Sequence, residues 1–196
     1  MIGLILCGGK SNRMCSDKGL ILQNNIPWAR IAFNKLAELG LTVFLSINKE
    51  QKLDYQAFFA ADHLVVDDDS LDIGGPLKGL LTIHQRFQND SIFLFACDMP
   101  LMDKLVLTNL LDTAKRKNSR DAFVFDNDGD SEPLCAIYTS TALKQVMELY
   151  KTNQLPKQSM KYVLEHVDTL KIPLPTEWKV YFTNYNSPDD LNSLEG

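Results

Sequence analysis

The feature that most constrains the fold is a series of short apolar runs separated by segments with helical spacing. Five runs have the length and composition of buried strands. They are residues 2–6, 41–47, 63–66, 91–96 and 121–125. Helical patterns separate them at 27–40, 49–60, 76–87 and 103–117. Because buried strands that alternate with helices form parallel sheets covered on both faces, the sequence predicts an α/β fold with a mainly parallel sheet.

The last third of the chain carries the same kinds of element in a different order. Strands are predicted at 132–138, 169–172 and 179–184, and helices at 141–150, 157–166 and 187–194. Ser187 and Pro188 suit the N-cap and the first position of the last of these helices. No repeat and no long polar linker divides the chain, so we expect a single domain over 1–196.

Composition excludes several classes of protein. The net charge is −5, and without a long basic run a broad nucleic-acid footprint is not expected. No apolar run approaches the ~20 residues of a membrane-spanning helix, and the first residues lack the pattern of a signal peptide, so we expect a cytoplasmic protein. Cys7, Cys15, Cys97 and Cys135 show no CxxC spacing, which favours reduced thiols over disulfides or zinc.

The loop after the first strand, LCGGKSNRMCSDK, has the composition of a phosphate-binding loop. Gly8 and Gly9 allow the backbone to approach a ligand and to present N–H groups to it. Arg13 and Lys18 supply cations for phosphate oxygens. Asp17 either holds the loop or orients a cation. The spacing matches neither GxxxxGK[ST] nor GxGxxG, so a tight turn with solvated charges remains the alternative.

A second polar segment, CDMP, places Asp98 directly after a buried strand. Because Mg²⁺ prefers one or two carboxylates together with substrate phosphates, we interpret Asp98 as a magnesium ligand opposite the cations of the first loop. A helix-capping role is the alternative. Asn184 and Asn186 follow a late predicted strand and offer amide oxygens to the metal or to a ligand, although such residues also serve in turns.

The third polar segment, DDDSLDIGGPLKG, follows the strand predicted at 63–66. Asp68 is placed to accept hydrogen bonds from a sugar or a base, and the glycines let a ligand lie against the backbone before a helix begins. A solvated charged loop is the alternative reading. Since ligands of open α/β sheets bind at the carboxyl ends of the strands, all three segments are expected at one edge of the sheet.

Together these segments resemble the molybdenum cofactor guanylyltransferases, a branch of the nucleotidyltransferases. The family pattern L-x-G-G-x-S-x-R-M-G-x-D-K reads LCGGKSNRMCSDK here. It continues with G-P-L-x-G, C-D-x-P, E-P-L-x-A-x-Y and N-x-N-[TS]-P-x-[DE]-L, which read GPLKG, CDMP, EPLCAIY and NYNSPDDL. The motifs keep the family's order from residue 1 to about residue 192.

The resemblance implies a Rossmann-like three-layer sandwich of the nucleotide-diphospho-sugar transferase type. It implies transfer of GMP from GTP to the terminal phosphate of molybdopterin, with Mg²⁺ as cofactor and pyrophosphate as product. The implied catalytic residues are Arg13, Lys18 and Asp98, with Asp98 as the metal ligand. The nucleotide-binding set, completed by the loop and motif glycines, is Leu6, Cys7, Gly8, Gly9, Lys18, Ser46, Asn48, Asp68, Gly79, Asp98, Asn184 and Asn186.

Three positions depart from the family pattern. Cys15 stands where the family has Gly, Lys78 stands where it has Ala, and Ser46 stands where it often has Asn. The guanine-side contact is therefore assigned to Ser46 or Asn48. A cytidylyltransferase of the same pathway, a nucleotidyltransferase acting on a sugar phosphate and a non-catalytic nucleotide-binding paralogue remain alternatives. The resemblance implies transient contacts with other proteins of molybdenum cofactor biosynthesis. We expect no binding to nucleic acid or to a membrane.

Overall fold

The structure of the protein is a computed structural model that describes residues 1–7 and 17–185. The strands in this part of the chain are β1 (Ile2–Leu6), β2 (Leu22–Gln23), β3 (Ile26–Pro27), β4 (Thr42–Ile47), β5 (Leu64–Val66), β6 (Ile92–Ala96), β7 (Ala122–Asn127), β8 (Asp130–Tyr138) and β9 (Thr169–Pro173). The α-helices are α1 (Trp28–Ala37), α2 (Lys52–Gln56), α3 (Pro76–Arg86), α4 (Lys104–Arg116), α5 (Ser140–Lys151) and α6 (Met160–Glu165). None of these helices is both long enough and apolar enough to cross a membrane.

Seven of the strands form one sheet in the order β5-β4-β1-β6-β8-β7-β9. Strands β5, β4, β1 and β6 run parallel to one another, β8 is antiparallel to both β6 and β7, and β9 is parallel to β7. The chain moves outward from β1 to β4 and β5 and then returns to place β6 on the other side of β1. Such a reversal opens a crevice at the carboxyl ends of the strands, where α/β proteins bind ligands.

Helices cover both faces of the sheet, because the strands are apolar on both faces. Along β1, Ile5 packs on one face with Leu36 of α1 and Leu110 of α4. Leu4 packs on the other face with residues of α3, α5 and α6. Successive side chains of a strand point to opposite faces, so a fully apolar strand needs helices on both sides. The predicted α/β fold, three layers around a mainly parallel sheet, is confirmed.

Side-chain caps define where several helices begin. Asp103 accepts a hydrogen bond from Leu105 N–H at the start of α4. Thr139 caps α5 through the N–H of Ala142. These bonds satisfy N–H groups that have no partner within the helix.

The structure corrects one predicted strand and adds an unpredicted hairpin. The segment predicted as a strand at 179–184 is largely a 3-10 helix, Thr176–Phe182. Trp178 and Phe182 both contact the ring of Phe125. In an extended strand, residues four apart would be separated by about 13 Å, too far for both to meet one ring. The short antiparallel pair β2 and β3 was not predicted. The predicted helices at 49–60 and 157–166 are shorter than expected, and the one at 187–194 lies outside the described residues.

Candidate functional site

The carboxyl ends of β4, β1 and β6 lie side by side and bring the polar segments together. Cys7 N–H, just after β1, donates to Ser46 O of β4 at 3.0 Å. Cys97 N–H, just after β6, donates to Leu6 O at 3.3 Å. These two bonds continue the hydrogen-bond pairing of the strands to Cys7 and Cys97. The first loop and the CDMP segment therefore begin at the same edge of the sheet.

Asp98 and Lys18 form an ion pair at this edge. Lys18 Nζ lies 3.1 Å from Asp98 Oδ2. The Lys18 side chain is 23% exposed and the Asp98 side chain is 19% exposed. The second oxygen, Asp98 Oδ1, is buried and accepts no hydrogen bond from the described residues. A buried carboxylate oxygen without a donor is costly to maintain, so it is suited to receive a cation or a ligand proton donor.

Asp17 fixes the end of the first loop. Its Oδ1 accepts from Gly19 N–H at 2.9 Å and from Tyr55 Oη at 3.0 Å, and its Oδ2 accepts from Gln51 Nε2 at 2.5 Å. Gly19 leaves room for this arrangement, because a Cβ there would lie 2.1 Å from Tyr55 Oη. Of the two roles considered for Asp17, the structure supports holding the loop.

Gln51 and Tyr55 are site-forming residues that the sequence interpretation missed. Gln51 Nε2 also donates to Cys7 O at 2.9 Å, which joins α2 to the end of β1. Burial raises the pKa of the Tyr55 phenol far above its ordinary value, so the phenol stays neutral and remains a donor to Asp17. The available sequence signal is their spacing of four residues, which would place both side chains on one side of a helix. The structure shows that both are buried.

Asn48 serves the turn that leads into α2. Its N–H donates to Gln51 Oε1 at 2.8 Å, and its Oδ1 accepts from Gln51 N–H at 2.9 Å. This reciprocal pair satisfies two groups near the helix start, as a capping box does. The assignment of Asn48 to the nucleotide stays a prediction.

Ser46 lies beneath the site and is almost completely covered. Its Oγ donates to Asp67 Oδ1 at 2.6 Å, so Asp67, which the sequence interpretation did not select, is its partner. Burial raises the pKa of Asp67, and the Ser46 hydrogen bond partly counteracts that rise. Gly79 of α3 packs against Ser46: a Cβ at Gly79 would lie 2.2 Å from Ser46 Oγ and 3.1 Å from Leu6 Cδ2. The predicted residues Leu6, Ser46 and Gly79 are thus in contact.

Asp68 has a local structural role next to this cluster. Its N–H donates to Thr82 Oγ1 of α3 at 3.0 Å, and its Oδ1 accepts from Ser70 N–H at 2.9 Å. Hydrogen bonds from Ser70 hold the pKa of Asp68 below its ordinary value. The side chain is therefore an ionised acceptor at neutral pH, and its contact with a nucleoside stays a prediction.

Asn184 directly precedes Tyr185, which is bonded to the Asp98 backbone. Tyr185 N–H donates to Asp98 O at 3.2 Å, and the buried Tyr185 ring meets Trp28 edge to face with centroids 6.0 Å apart. This anchor brings the late segment, which follows the 3-10 helix, to the CDMP turn. The remaining predicted residues, Gly8, Gly9, Arg13 and Asn186, lie outside the described residues.

The donor set fits a divalent ion that is held largely by its substrate. Among the described residues, no group of three or more His, Cys, Asp or Glu side chains could enclose a metal ion. Asp98 Oδ1 is buried without a hydrogen-bond donor from that same part of the chain. Mg²⁺ commonly uses one or two carboxylates and completes its shell with phosphate oxygens and waters, so a single carboxylate here is consistent with it.

The sequence matches a family of nucleotide-dependent transferases. Residues 3–169 match the family model described as MobA-like NTP transferase domain. A probable molybdenum cofactor guanylyltransferase of Methanothermobacter thermautotrophicus is 30% identical over 192 residues, which cover 95% of each chain. A molybdenum cofactor guanylyltransferase of Histophilus somni is 27% identical over 98% of this chain and 94% of its own.

Solved structures share the fold. The crystal structure of molybdopterin-guanine dinucleotide biosynthesis protein A from Archaeoglobus fulgidus superposes with a TM-score of 0.79, covering 100% of this chain and 97% of that one at 20% identity. A putative glucose-1-phosphate thymidylyltransferase from Bacillus anthracis gives a TM-score of 0.73 at 16% identity, covering 98% and 93%. The similarity to both confirms the predicted nucleotide-diphospho-sugar transferase type of fold.

Proposed function

Because the chain belongs to the family of MobA-like NTP transferase domains and is a nucleotidyltransferase, we propose that it transfers GMP from GTP to the terminal phosphate of molybdopterin. In this reaction an oxygen of the acceptor phosphate bonds to the α-phosphorus of GTP. The bond from that phosphorus to the oxygen bridging to the β-phosphate breaks, and pyrophosphate leaves. The names of the full-length relatives support this choice of nucleotide and acceptor.

The observation that carries the proposal is the pairing of Lys18 with Asp98 at the switch point of the sheet. Lys18 Nζ is held 3.1 Å from Asp98 Oδ2, where it is in place to meet phosphate oxygens entering the crevice. Transfer between two phosphates brings anions together, so catalysis depends on positioned positive charge rather than on covalent help from the protein. Arg13, outside the described residues, remains the second proposed cation.

Asp98 is the residue that would hold Mg²⁺, through the oxygen that accepts no hydrogen bond from the described residues. When bound, the ion supplies charge neutralisation at the reacting phosphates. Lys18 keeps the other carboxylate oxygen oriented and contributes its own charge. No general base is needed, since a phosphate monoester has lost most of its second proton at neutral pH.

Calorimetric titration with GTP, CTP, ATP and UTP, with and without Mg²⁺, tests the nucleotide. GTP-selective binding strengthened by Mg²⁺ supports the proposal, and a preference for CTP would replace it with cytidylyl transfer. Release of pyrophosphate that requires GTP, Mg²⁺ and molybdopterin together tests the reaction. Binding of GTP without such turnover would contradict the proposed enzyme and favour the non-catalytic paralogue.

A further inference from the structure

The segment between β5 and α3 (67–75) is attached to the protein at two places. Its beginning is bonded to the sheet and to α3, through Asp67 N–H to Ile47 O at 2.8 Å and Asp68 N–H to Thr82 Oγ1 at 3.0 Å. Its end, residues 72–74, is bonded to side chains from the end of α5 and the loop that follows it. The side chains of this second attachment come from a distant part of the chain. The residues that they hold directly precede Gly75, the N-cap of α3.

Gln158 makes two bonds to this segment with one amide group. Gly74 N–H donates to Gln158 Oε1 at 2.8 Å, and Gln158 Nε2 donates to Asp72 O at 3.2 Å. An amide that bonds the carbonyl of one residue and the N–H of the second residue after it imitates the pairing offered by a neighbouring β-strand. Ile73, between the two bonded residues, is only 5% exposed. The backbone is therefore fixed on both sides of a buried side chain.

A third bond completes the attachment. Asp72 N–H donates to Tyr150 Oη at 3.0 Å, and Tyr150 belongs to the last turn of α5. Gln158 itself precedes Ser159, the residue whose side chain caps α6. We refer to Asp72, Gly74, Tyr150 and Gln158 as the 72–74 clamp. The two side chains that form the clamp's hydrogen bonds are those of Tyr150, in the last turn of α5, and Gln158, just before the cap of α6.

The clamp lies directly before the start of α3. Gly75 follows it with φ of 63°, Pro76 opens the helix, and no side chain caps the first turn. Pro76 carries no N–H and Lys78 N–H donates to Gly75 O at 3.1 Å, so Gly75 supplies an acceptor for the first turn. The N-terminal end of the helix dipole favours an anion. One turn further on, Gly79 is packed tightly on Ser46 at the floor of the site. A shift of 72–74 would therefore move the helix start relative to Lys18 and Asp98.

We propose that Gln158 is a positioning residue that holds 72–74, and with it the start of α3, in place for a nucleoside triphosphate. This rests on the proposed function and on the family resemblance, which implies that Gly79 of the GPLKG segment binds the nucleotide. Gln158 acts through Asp72 and Gly74 rather than through the ligand. It should therefore affect how tightly the nucleotide binds more than how fast the bound nucleotide reacts.

The test compares Gln158→Met, which keeps the length of the side chain and removes both bonds, with Tyr150→Phe, which removes only the third. We expect the KM for GTP to rise about five- to tenfold in Gln158→Met and about two- to threefold in Tyr150→Phe. The value of kcat should stay within about twofold in both. Thermal denaturation verifies that each variant is folded.

Gln154→Met is the matched control. Gln154 is exposed in the same loop, and the hydrogen bond that it makes among the described residues is through its backbone N–H, to Leu149 O at 2.7 Å. Amide hydrogen exchange of Gly74 in the nucleotide-free protein gives an independent readout: it should accelerate in Gln158→Met and not in the control.

The outcomes separate the two proposals. If the wild type turns over GTP and Gln158→Met has the KM of the control, the positioning role is overturned and the proposed function stands. A raised KM with unchanged Gly74 exchange would mean that Gln158 contacts the nucleotide directly, which also overturns it. Wild-type protein that neither binds nor turns over GTP overturns both.

Discussion

Lys18 Nζ and Asp98 Oδ2 lie 3.1 Å apart across a sequence separation of 80 residues. Asp98 closely follows β6, and Lys18 begins a 3-10 helix, Lys18–Leu20, that follows β1, the parallel neighbour of β6. Each side chain keeps about a fifth of its surface exposed, so the pair is reachable from the crevice. The ion pair holds the carboxylate in one orientation and leaves Oδ1 as its second acceptor. A triphosphate and its counter-ion would meet a site whose charges are already in position.

Asp98→Asn should remove most turnover while leaving the fold intact. The substitution keeps the shape of the side chain but removes the charge that pairs with Lys18 and that would hold a divalent ion. We expect kcat to fall about 100-fold or more, by analogy with the loss of one preorganised electrostatic group. Pyrophosphate release measured at saturating GTP, Mg²⁺ and acceptor checks this.

Asp112→Asn, on the exposed side of α4, is the control for loss of one carboxylate and should have wild-type turnover. If Asp98→Asn retained near-normal turnover with an unchanged melting temperature, the assignment of Asp98 as metal ligand would be wrong.

Gly79→Ala should destabilise the protein although alanine is the better helix former. The new Cβ would lie 2.2 Å from Ser46 Oγ and 3.0 Å from Ser46 Cβ, and both residues are buried. Overpacking of this kind costs about 1–3 kcal/mol, which exceeds the gain of up to about 1 kcal/mol in helix propensity. Urea denaturation measures the difference.

Ser46→Gly alone should also destabilise the protein, because it removes the hydrogen bond to Asp67. The double variant Gly79→Ala with Ser46→Gly removes both clashing atoms, so its loss should be smaller than the sum of the two single losses. Additive losses would show that the Ser46 contact is not the cause.

Gly75→Ala should destabilise the start of α3 through the backbone alone. Nothing lies within 4 Å of a Cβ built there, but φ is 63°, in the region that L side chains rarely adopt. We expect a loss of about 1–3 kcal/mol in the free energy of unfolding and weaker nucleotide binding. Gly74→Ala is the neighbouring control: its nearest contact is Gln158 Oε1 at 3.8 Å, so its stability should change little. Similar losses in the two variants would refute the backbone explanation.

His84 should make the protein less stable as the pH falls. The side chain is 3% exposed, its Nδ1 accepts no hydrogen bond from the described residues, and burial followed by the charges of Lys144 and Lys151 lowers its pKa. A histidine whose folded pKa lies below its unfolded value of about 6.5 binds protons more readily when unfolded, so stability declines as pH drops through that value.

His84 and the two lysines line a cleft of about 220 Å³. Glu148 lines the same cleft, and its negative charge partly opposes the positive charges of the lysines. His84→Gln should lose less unfolding free energy than the wild type between pH 7.5 and 5.5, measured by urea denaturation. His166→Gln, at an exposed histidine, should behave like the wild type. A His84→Gln curve parallel to that of the wild type would exclude His84 as the source.

Much of the architecture could be predicted because its signals are local and periodic. The apolar runs of β1, β4 and β6 and the amphipathic pattern of α3, α4 and α5 lie within a few boundary residues of their predicted positions. The meeting of Lys18 with Asp98 follows from the same reasoning, since both come after strands that end at one edge of a parallel sheet.

The strand predicted at 179–184 was wrong because side-chain packing outweighs the local pattern there. The apolar segment after β9 has strand-like composition, yet Trp178 and Phe182 can both reach Phe125 only from a helical turn. The sequence also carries no signal that separates the structural roles of the adjacent residues Asp67 and Asp68. The structure pairs Asp67 with buried Ser46 and leaves Asp68 in a local turn with Ser70.

Apart from the 3-10 helix Thr176–Phe182 and the β2–β3 hairpin, the sequence by itself determined the kinds of element, their order along the chain and the polar segments that follow the strands. Only the tertiary structure decided which side chains hold those segments: Gln51 and Tyr55 on Asp17, and Gln158 on Gly74. The physical reason is range. Strand and helix preferences arise from neighbours within a few residues, whereas a hydrogen bond across 84 residues depends on how every intervening element packs.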